Sequence, residues 1–256
     1  MNRPTKVLVG VAALSLVTYA GLCALLYSKQ RNLLYFPQPM APGGEARTVP
    51  LRSQGPRVLV SVREVPGQAA IVYFGGNSED VSQNLPRFEA AFPQHSLYLL
   101  HYRGYGGSEG QPKEADLYAD ALALFDYAHR KHRRVIVVGR SLGSGLAVRV
   151  ASARAPAKLV LVTPYDSIVG IAADLYPMFP VSLIVEDKYE SWRYAPLVRA
   201  PTRILIAGKD TVIPRASTEQ LVRRFHPGVA SVAEFPDAGH SDIASDPNYL
   251  AQFIAP

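Results

Sequence analysis

Three short segments carry residue types that can do chemistry together. In Val-Val-Gly-Arg-Ser-Leu-Gly-Ser-Gly, residues 137–145, Ser141 stands between Gly139 and Gly143. Asp210 lies in Ile-Ala-Gly-Lys-Asp-Thr-Val-Ile-Pro, and His240 in Asp-Ala-Gly-His-Ser-Asp. A serine hydroxyl is a weak nucleophile until a base takes its proton, and an imidazole serving as that base needs a carboxylate to orient it. Each segment taken alone also reads as a polar turn. Context favours the chemical reading: Gly-x-Ser-x-Gly directly follows an apolar β-branched run and opens a helical pattern, the strand–turn–helix setting of a nucleophile elbow. The chain order Ser141, Asp210, His240 is one of the known orders for such a triad. His101, at the end of a strand pattern, is the competing base. Asp166, in Thr-Pro-Tyr-Asp-Ser, is the competing carboxylate.

Acyl transfer also needs donors for a developing oxyanion. The backbone N–H of Leu142, at the start of the helix after Ser141, is one candidate. The second is expected from Phe-Gly-Gly-Asn, where Gly75 and Gly76 let the main chain approach a ligand and the N–H of Asn77, or of Gly76, supplies the bond.

These residues must be held by a scaffold. From about residue 48, short apolar runs rich in Val and Ile alternate with amphipathic segments. Strands are expected at 48–52, 57–63, 69–74, 96–100, 134–138, 158–163, 202–207 and 230–235. Helices are expected at 81–92, 113–131, 143–154, 215–225 and 246–254. The pattern predicts an α/β fold: a mostly parallel central sheet with helices on both faces and ligands beyond the carboxyl ends of the strands. The first two strands, joined by a short polar link, are expected to pair antiparallel. The catalytic domain is assigned to 48–256, with a small helical cap at about 165–200. Within that cap Tyr176, Met178, Phe179 and Leu183 either line an apolar acyl pocket or simply pack. Arg103 and Tyr105, in Tyr-Arg-Gly-Tyr-Gly-Gly-Ser, are read as anchoring a loop beside the site rather than as touching substrate.

The N-terminus is of another character. Val7 to Tyr27 runs for 21 residues without a charge, about 32 Å as a helix and close to a bilayer core. It is too long and too poorly provided with a cleavage site for a typical secretory signal, and Leu22 before Cys23 argues against a lipoprotein signal. Residues 1–31 are therefore read as a single-pass anchor and 32–47 as a linker or surface arm. Arg3 and Lys6 favour an inside N-terminus and a catalytic domain on the non-cytoplasmic side, although Lys29 and Arg31 oppose it.

The net charge is +6 over 256 residues. The basic residues form no stripe interleaved with aromatics, so nucleic acid is not an expected partner. The single cysteine allows no intrachain disulfide. No zinc-ligand spacing is present, and neither a metal nor an organic cofactor is expected.

Taken with their flanks, Gly-Arg-Ser-Leu-Gly-Ser-Gly, Phe-Gly-Gly-Asn, Tyr-Arg-Gly-Tyr-Gly-Gly-Ser-Glu-Gly, Lys-Asp-Thr-Val-Ile-Pro and Gly-His-Ser-Asp make the chain from about residue 48 resemble the α/β-hydrolase superfamily. Within it, the chain is similar to the membrane-anchored BEM46-like hydrolases. Relatives often carry His-Gly-Asn at the position of Gly75-Gly76-Asn77, and an acidic residue or Asn near His101. The resemblance implies hydrolysis of ester, thioester or amide bonds. The expected activity is a serine hydrolase acting on carboxylic esters or thioesters of a small-molecule or lipid-like acyl substrate, or of an acylated protein. The alternatives are a peptidase of the same fold and a catalytically silent binding scaffold.

Overall fold

A computed structural model describes residues 2–41, 47–51, 55–67 and 69–255. The strands are β1 Thr48–Leu51, β2 Val58–Arg63, β3 Ala69–Phe74, β4 Ser96–Leu100, β5 Arg134–Arg140, β6 Lys158–Val162, β7 Thr202–Ala207 and β8 Ala230–Phe235. They form an eight-stranded sheet in the order β1-β2-β4-β3-β5-β6-β7-β8. The β1/β2 and β2/β4 pairs are antiparallel, and all pairs from β4/β3 onward are parallel.

Both faces of the sheet are covered, which is why its central strands are apolar at every position rather than at every second one. Val72 and Phe74 face one core with Leu117, Leu124 and Leu146. Ile71 and Tyr73 face the other with Phe88, Phe92 and Phe253. The first face is covered by α3 Glu114–Lys131 and α4 Leu142–Ala153, the second by α2 Leu85–Ala91 and α9 Ala251–Ile254. Helix α8, Arg215–Val222, follows β7.

Boundaries differ from the sequence reading where proline intervenes. The helix expected at 81–92 divides into a single 3-10 turn, Val81–Asn84, and α2, whose first turn holds Pro86. Proline has no N–H to offer a preceding turn but fits the start of a new helix. The helix expected at 246–254 is reduced to α9, with Pro247 ahead of it. Of the residues expected in the first strand and the 32–47 segment, residue 52 and residues 42–46 lie outside the described residues.

The N-terminal helix α1 runs Arg3–Leu34, beyond the apolar span at both ends. None of its side chains is buried, so it is not a core helix. It is long and apolar enough to cross a membrane. The segment after it is docked rather than loose. Tyr35 is buried and bonds Asp187 and Tyr189 through its hydroxyl. Beyond it, the Phe36 N–H donates to Asn77 O at 3.1 Å and the Ala41 N–H to Asp80 Oδ2 at 2.8 Å.

Candidate active site

Strand β5 ends at Arg140 and α4 begins at Leu142, so Ser141 makes the whole turn between them. It holds φ 49° and ψ −118°, a left-handed backbone that a side-chain-bearing residue adopts only under constraint from its surroundings. The flanking glycines are required by space. A Cβ on Gly143 would lie 2.6 Å from Gly75 O and nearer still to Phe74 O, and one on Gly139 would lie 2.6 Å from Ala147 Cβ. The Ser141 N–H donates to Val162 O at 2.9 Å and the Gly143 N–H to Gly75 O at 3.1 Å. The turn is thus fixed to both neighbouring strand ends.

The loop after β8 brings His240 over this corner. Its Nε2 lies 3.0 Å from Ser141 Oγ and its Nδ1 2.8 Å from Asp210 Oδ2. Asp210, in the turn after β7, accepts the Val212 and Ile213 N–H groups on Oδ1, each at 2.8 Å. Burial works to raise its pKa, but the His240 bond and these two amides outweigh it and hold the carboxyl below its ordinary value. An ionised carboxylate only accepts, so the network assigns the imidazole hydrogen to Nδ1 and leaves Nε2 to accept from the serine hydroxyl. The three residues singled out in the sequence therefore meet in one chain of hydrogen bonds, with His240 and Asp210 largely withdrawn from solvent.

The competitors lie elsewhere. Asp166 accepts from Ser217 Oγ at 2.6 Å and from the Ser167 N–H at 2.8 Å. His101 is buried with its Nε2 2.8 Å from Ser61 Oγ. Its ring lies so close to Gly106 that a Cβ there would overlap it. Burial pushes the His101 pKa down to about 4. The unfolded chain, with His near 6.5, then binds a proton that the folded one refuses. His101 is neutral toward stability above about pH 6.5 and withdraws about 3 kcal/mol as pH falls from there to about 4. We expect urea midpoints to drop between pH 7 and pH 4.5, and to drop visibly less in His101→Asn. An equal drop in the variant would contradict this assignment.

The loop after β3 runs beside the serine. Asn77 has its carbonyl bound by Tyr105 Oη at 2.7 Å and its side-chain amide donating to Leu34 O at 2.9 Å. Those bonds fix the Asn77 peptide without using its N–H, and Asn77 lines the same cavity as Ser141 and Leu142. Gly76 is different: its N–H donates to Glu79 Oε2 at 2.7 Å. The sequence reading allowed either residue to supply the second oxyanion donor, and that bond commits Gly76 elsewhere. Tyr105 anchors this loop from its hydroxyl, and Arg103 pairs with Asp120 at 2.8 Å and Asp116 at 3.2 Å. Both residues hold loops in place, as expected.

Two residues that sequence reasoning missed tie the site together. Arg140 Nη1 lies 3.0 Å from Glu79 Oε2, and its Nη2 donates to the His240 carbonyl at 3.3 Å. Glu79 in turn accepts from Tyr73 Oη at 2.8 Å as well as from the Gly76 N–H. One partly buried ion pair thus spans the serine corner, the Gly-Gly-Asn loop and the histidine loop. The signal was present, since Arg140 sits inside Gly-x-Ser-x-Gly, but its partner is 61 residues away. We expect Arg140→Met to lower kcat by about a hundredfold, the size of effect that a displacement of about 1 Å produces, with a much smaller change in KM. A KM effect alone would show that the pair serves only binding.

A cavity of about 320 Å³ opens at Ser141, within the range of small-molecule sites. Its wall is mainly apolar and includes Tyr165, Ile171, Tyr176 and Phe179, together with Leu26 and Leu34 of α1. The cap is built from α5 Ile168–Leu175, α6 Val181–Ile184 and α7 Ser191–Tyr194. Of the four cap residues proposed for an acyl pocket, Tyr176 and Phe179 line it. Met178 and Leu183 do neither of the things expected of them: they are 73% and 83% exposed on the outer side of the cap.

No family model matches the chain. Rv2307c, an uncharacterized protein of Mycobacterium tuberculosis, is 31% identical over 259 residues, spanning 91% of this chain and 88% of that protein. Bem46 of Schizosaccharomyces pombe is 23% identical over 284 residues, spanning 95% of each chain. Among solved structures, the Pyrococcus furiosus esterase Pf2001 superposes with a TM-score of 0.67 at 14% identity, over 86% of this chain and 94% of that one. With the sheet order, the serine corner and these relatives together, the chain belongs to the α/β-hydrolase superfamily, in its BEM46-like branch.

Proposed function

We propose that this protein is a membrane-anchored serine hydrolase that cleaves carboxylic esters or thioesters through an acyl-enzyme. The observation that carries the reading is the continuous relay Ser141 Oγ, His240, Asp210, with distances of 3.0 and 2.8 Å, opening into an apolar cavity. As Ser141 Oγ attacks the acyl carbon, its proton passes to His240 Nε2. Asp210 stabilises the imidazolium and keeps the ring in place. The carbonyl π electrons move onto oxygen, and the N–H groups of Leu142 and Asn77 hold that oxyanion. Collapse expels the alcohol or thiol, which takes the proton from His240. Water then loses a proton to His240, attacks the Ser141 ester and releases the acid, restoring the hydroxyl.

An acyl-enzyme has lost its leaving group, so its later partitioning is blind to what left. With added methanol, we expect the same ratio of methyl ester to free acid from p-nitrophenyl butyrate and from phenyl butyrate. A ratio that varies with the leaving group would exclude the shared intermediate.

In this reading α1 is a single membrane span. Arg3 and Lys6 lie at its free end, while Arg31 at the other end is paired with Glu186 at 2.7 Å and Asp187 at 3.1 Å. The orientation with the catalytic domain on the non-cytoplasmic side rests on Arg3 and Lys6, against Lys29 and Arg31 at the other end. Full-length chain released from membranes by alkaline carbonate would contradict the span.

A further inference from the structure

The partly covered residues of α1 form one stripe. Cys23, Leu26, Gln30, Arg31 and Leu34 recur at the three- and four-residue spacing that keeps one helix face toward a neighbour. That neighbour is the cap. At the domain end of α1, Gln30 Nε2 donates to Ile184 O at 3.1 Å, Arg31 pairs with Glu186, and Tyr27 Oη donates to Glu186 Oε1 at 3.0 Å. Further toward the N-terminus, Tyr19 Oη donates to Met178 O at 2.7 Å, and the Tyr19 ring stacks on Phe179 with centroids 5.9 Å apart. The cap tip therefore climbs along α1 from Tyr27 to Tyr19, eight residues or about 12 Å.

This register decides where the tip lies relative to a bilayer. Were the hydrocarbon boundary at Tyr19, only Val7–Tyr19 would remain to span it, about 20 Å against a core of roughly 30 Å. The boundary falls instead near Tyr27, where Glu186 and Arg31 pair, and everything level with Tyr19 is inside the leaflet. The tip has the composition for that environment. Leu175 to Val185 contains no charged residue. Leu175, Met178 and Leu183 are 67%, 73% and 83% exposed, a patch that would be a liability in water. Asp174 precedes this stretch and Glu186 follows it, marking its two limits.

We propose that the cap tip, Leu175–Val185, is immersed in the bilayer beside α1, and that the cavity they enclose takes the hydrocarbon chain of a membrane-resident ester directly from the lipid phase. This rests on the hydrolase reading and on α1 spanning the membrane. The anchor is then a wall of the binding site: Leu26 and Leu34 face Ile171 and Phe179 across the cavity that ends at Ser141. Hydrolysis leaves the fatty acid in the cavity and returns the alcohol or thiol, with water as the co-reactant.

Two measurements on the full chain in phosphatidylcholine nanodiscs test it. Trp192 is the chain's single tryptophan and is replaced by Phe. In that background, Met178→Trp fluorescence is expected to fall by more than half when the lipids carry brominated acyl chains, and to resist aqueous iodide. Quenching by iodide but not by brominated chains would overturn the immersion. The second compares a long-chain ester dissolved in the nanodisc with a water-soluble butyrate ester, normalised to active sites titrated with a fluorophosphonate. Each methylene buried is worth about fourfold in binding. Leu26→Trp, which fills the anchor side of the cavity, is expected to lower the ratio of long-chain to butyrate kcat/KM at least tenfold. An unchanged ratio would overturn the acyl site while leaving the hydrolase reading intact. A wild type that hydrolyses neither ester would overturn the hydrolase reading itself. Release of the wild-type chain by carbonate would overturn the span.

Discussion

Replacing Ser141 by Ala is expected to lower kcat for ester hydrolysis by about a million-fold while leaving the fold intact. The side chain removed is a single hydroxyl at the floor of an open cavity, so little packing is lost. In the proposed mechanism, what disappears is the step that attaches the acyl group to the protein. His240→Ala should cost nearly as much, and the double variant little more than either alone, because serine and imidazole act as one unit. Asp210→Asn should retain more activity, with a loss of about ten-thousandfold. Its Oδ1 bonds to Val212 and Ile213 hold that turn and can persist in the amide. The bond to His240 Nδ1, however, would favour the wrong tautomer. Kinetics of the four variants, with circular dichroism to verify folding, measure this directly. Additive losses in the double variant would mean that Ser141 and His240 serve separate purposes.

The second large effect is on stability. Gly143→Ala is expected to destabilise the domain by about 3 kcal/mol or more, the upper part of the range for overpacking. The clash is with main-chain oxygens of Phe74 and Gly75, which cannot rotate aside as a side chain could. It also breaks the approach that lets the Gly143 N–H reach Gly75 O. For a domain of this size the thermal midpoint should fall by on the order of 10 °C. The remaining folded fraction should lose activity too, since the same displacement moves Ser141 relative to Asn77. A melting temperature equal to wild type would show that the elbow is less tightly packed than this geometry requires.

The sheet was legible because the strands buried on both faces are short, wholly apolar and bounded by polar turns. Ser141 and Asp210 each follow the end of such a strand and His240 follows β8, whose burial is only partial, so locating the strand ends located the three residues that meet at the corner. The Arg140–Glu79 pair was not legible: both residues sit in polar surroundings where a charge needs no explanation, and their contact depends on the β3/β5 pairing. The spacing of Tyr249, Leu250 and Phe253 imitates a helical face, but Pro247 confines the helix to its last turn. Residues 32–47 read as a linker because three prolines and two adjacent glycines interrupt them, whereas Tyr35 finds a buried partner in Asp187, more than 150 positions away. The contact of α1 with the cap was likewise hidden, since exposed and cap-facing leucines of that helix are alike in sequence.

The most direct test is to treat the full chain with a fluorophosphonate and map the adduct by mass spectrometry. One phosphonyl group on Ser141 of the wild type is expected, with labelling strongly slowed in His240→Ala and absent in Ser141→Ala. An adduct on any other residue, or unaltered labelling of Ser141→Ala, would contradict the assignment of that hydroxyl as the nucleophile.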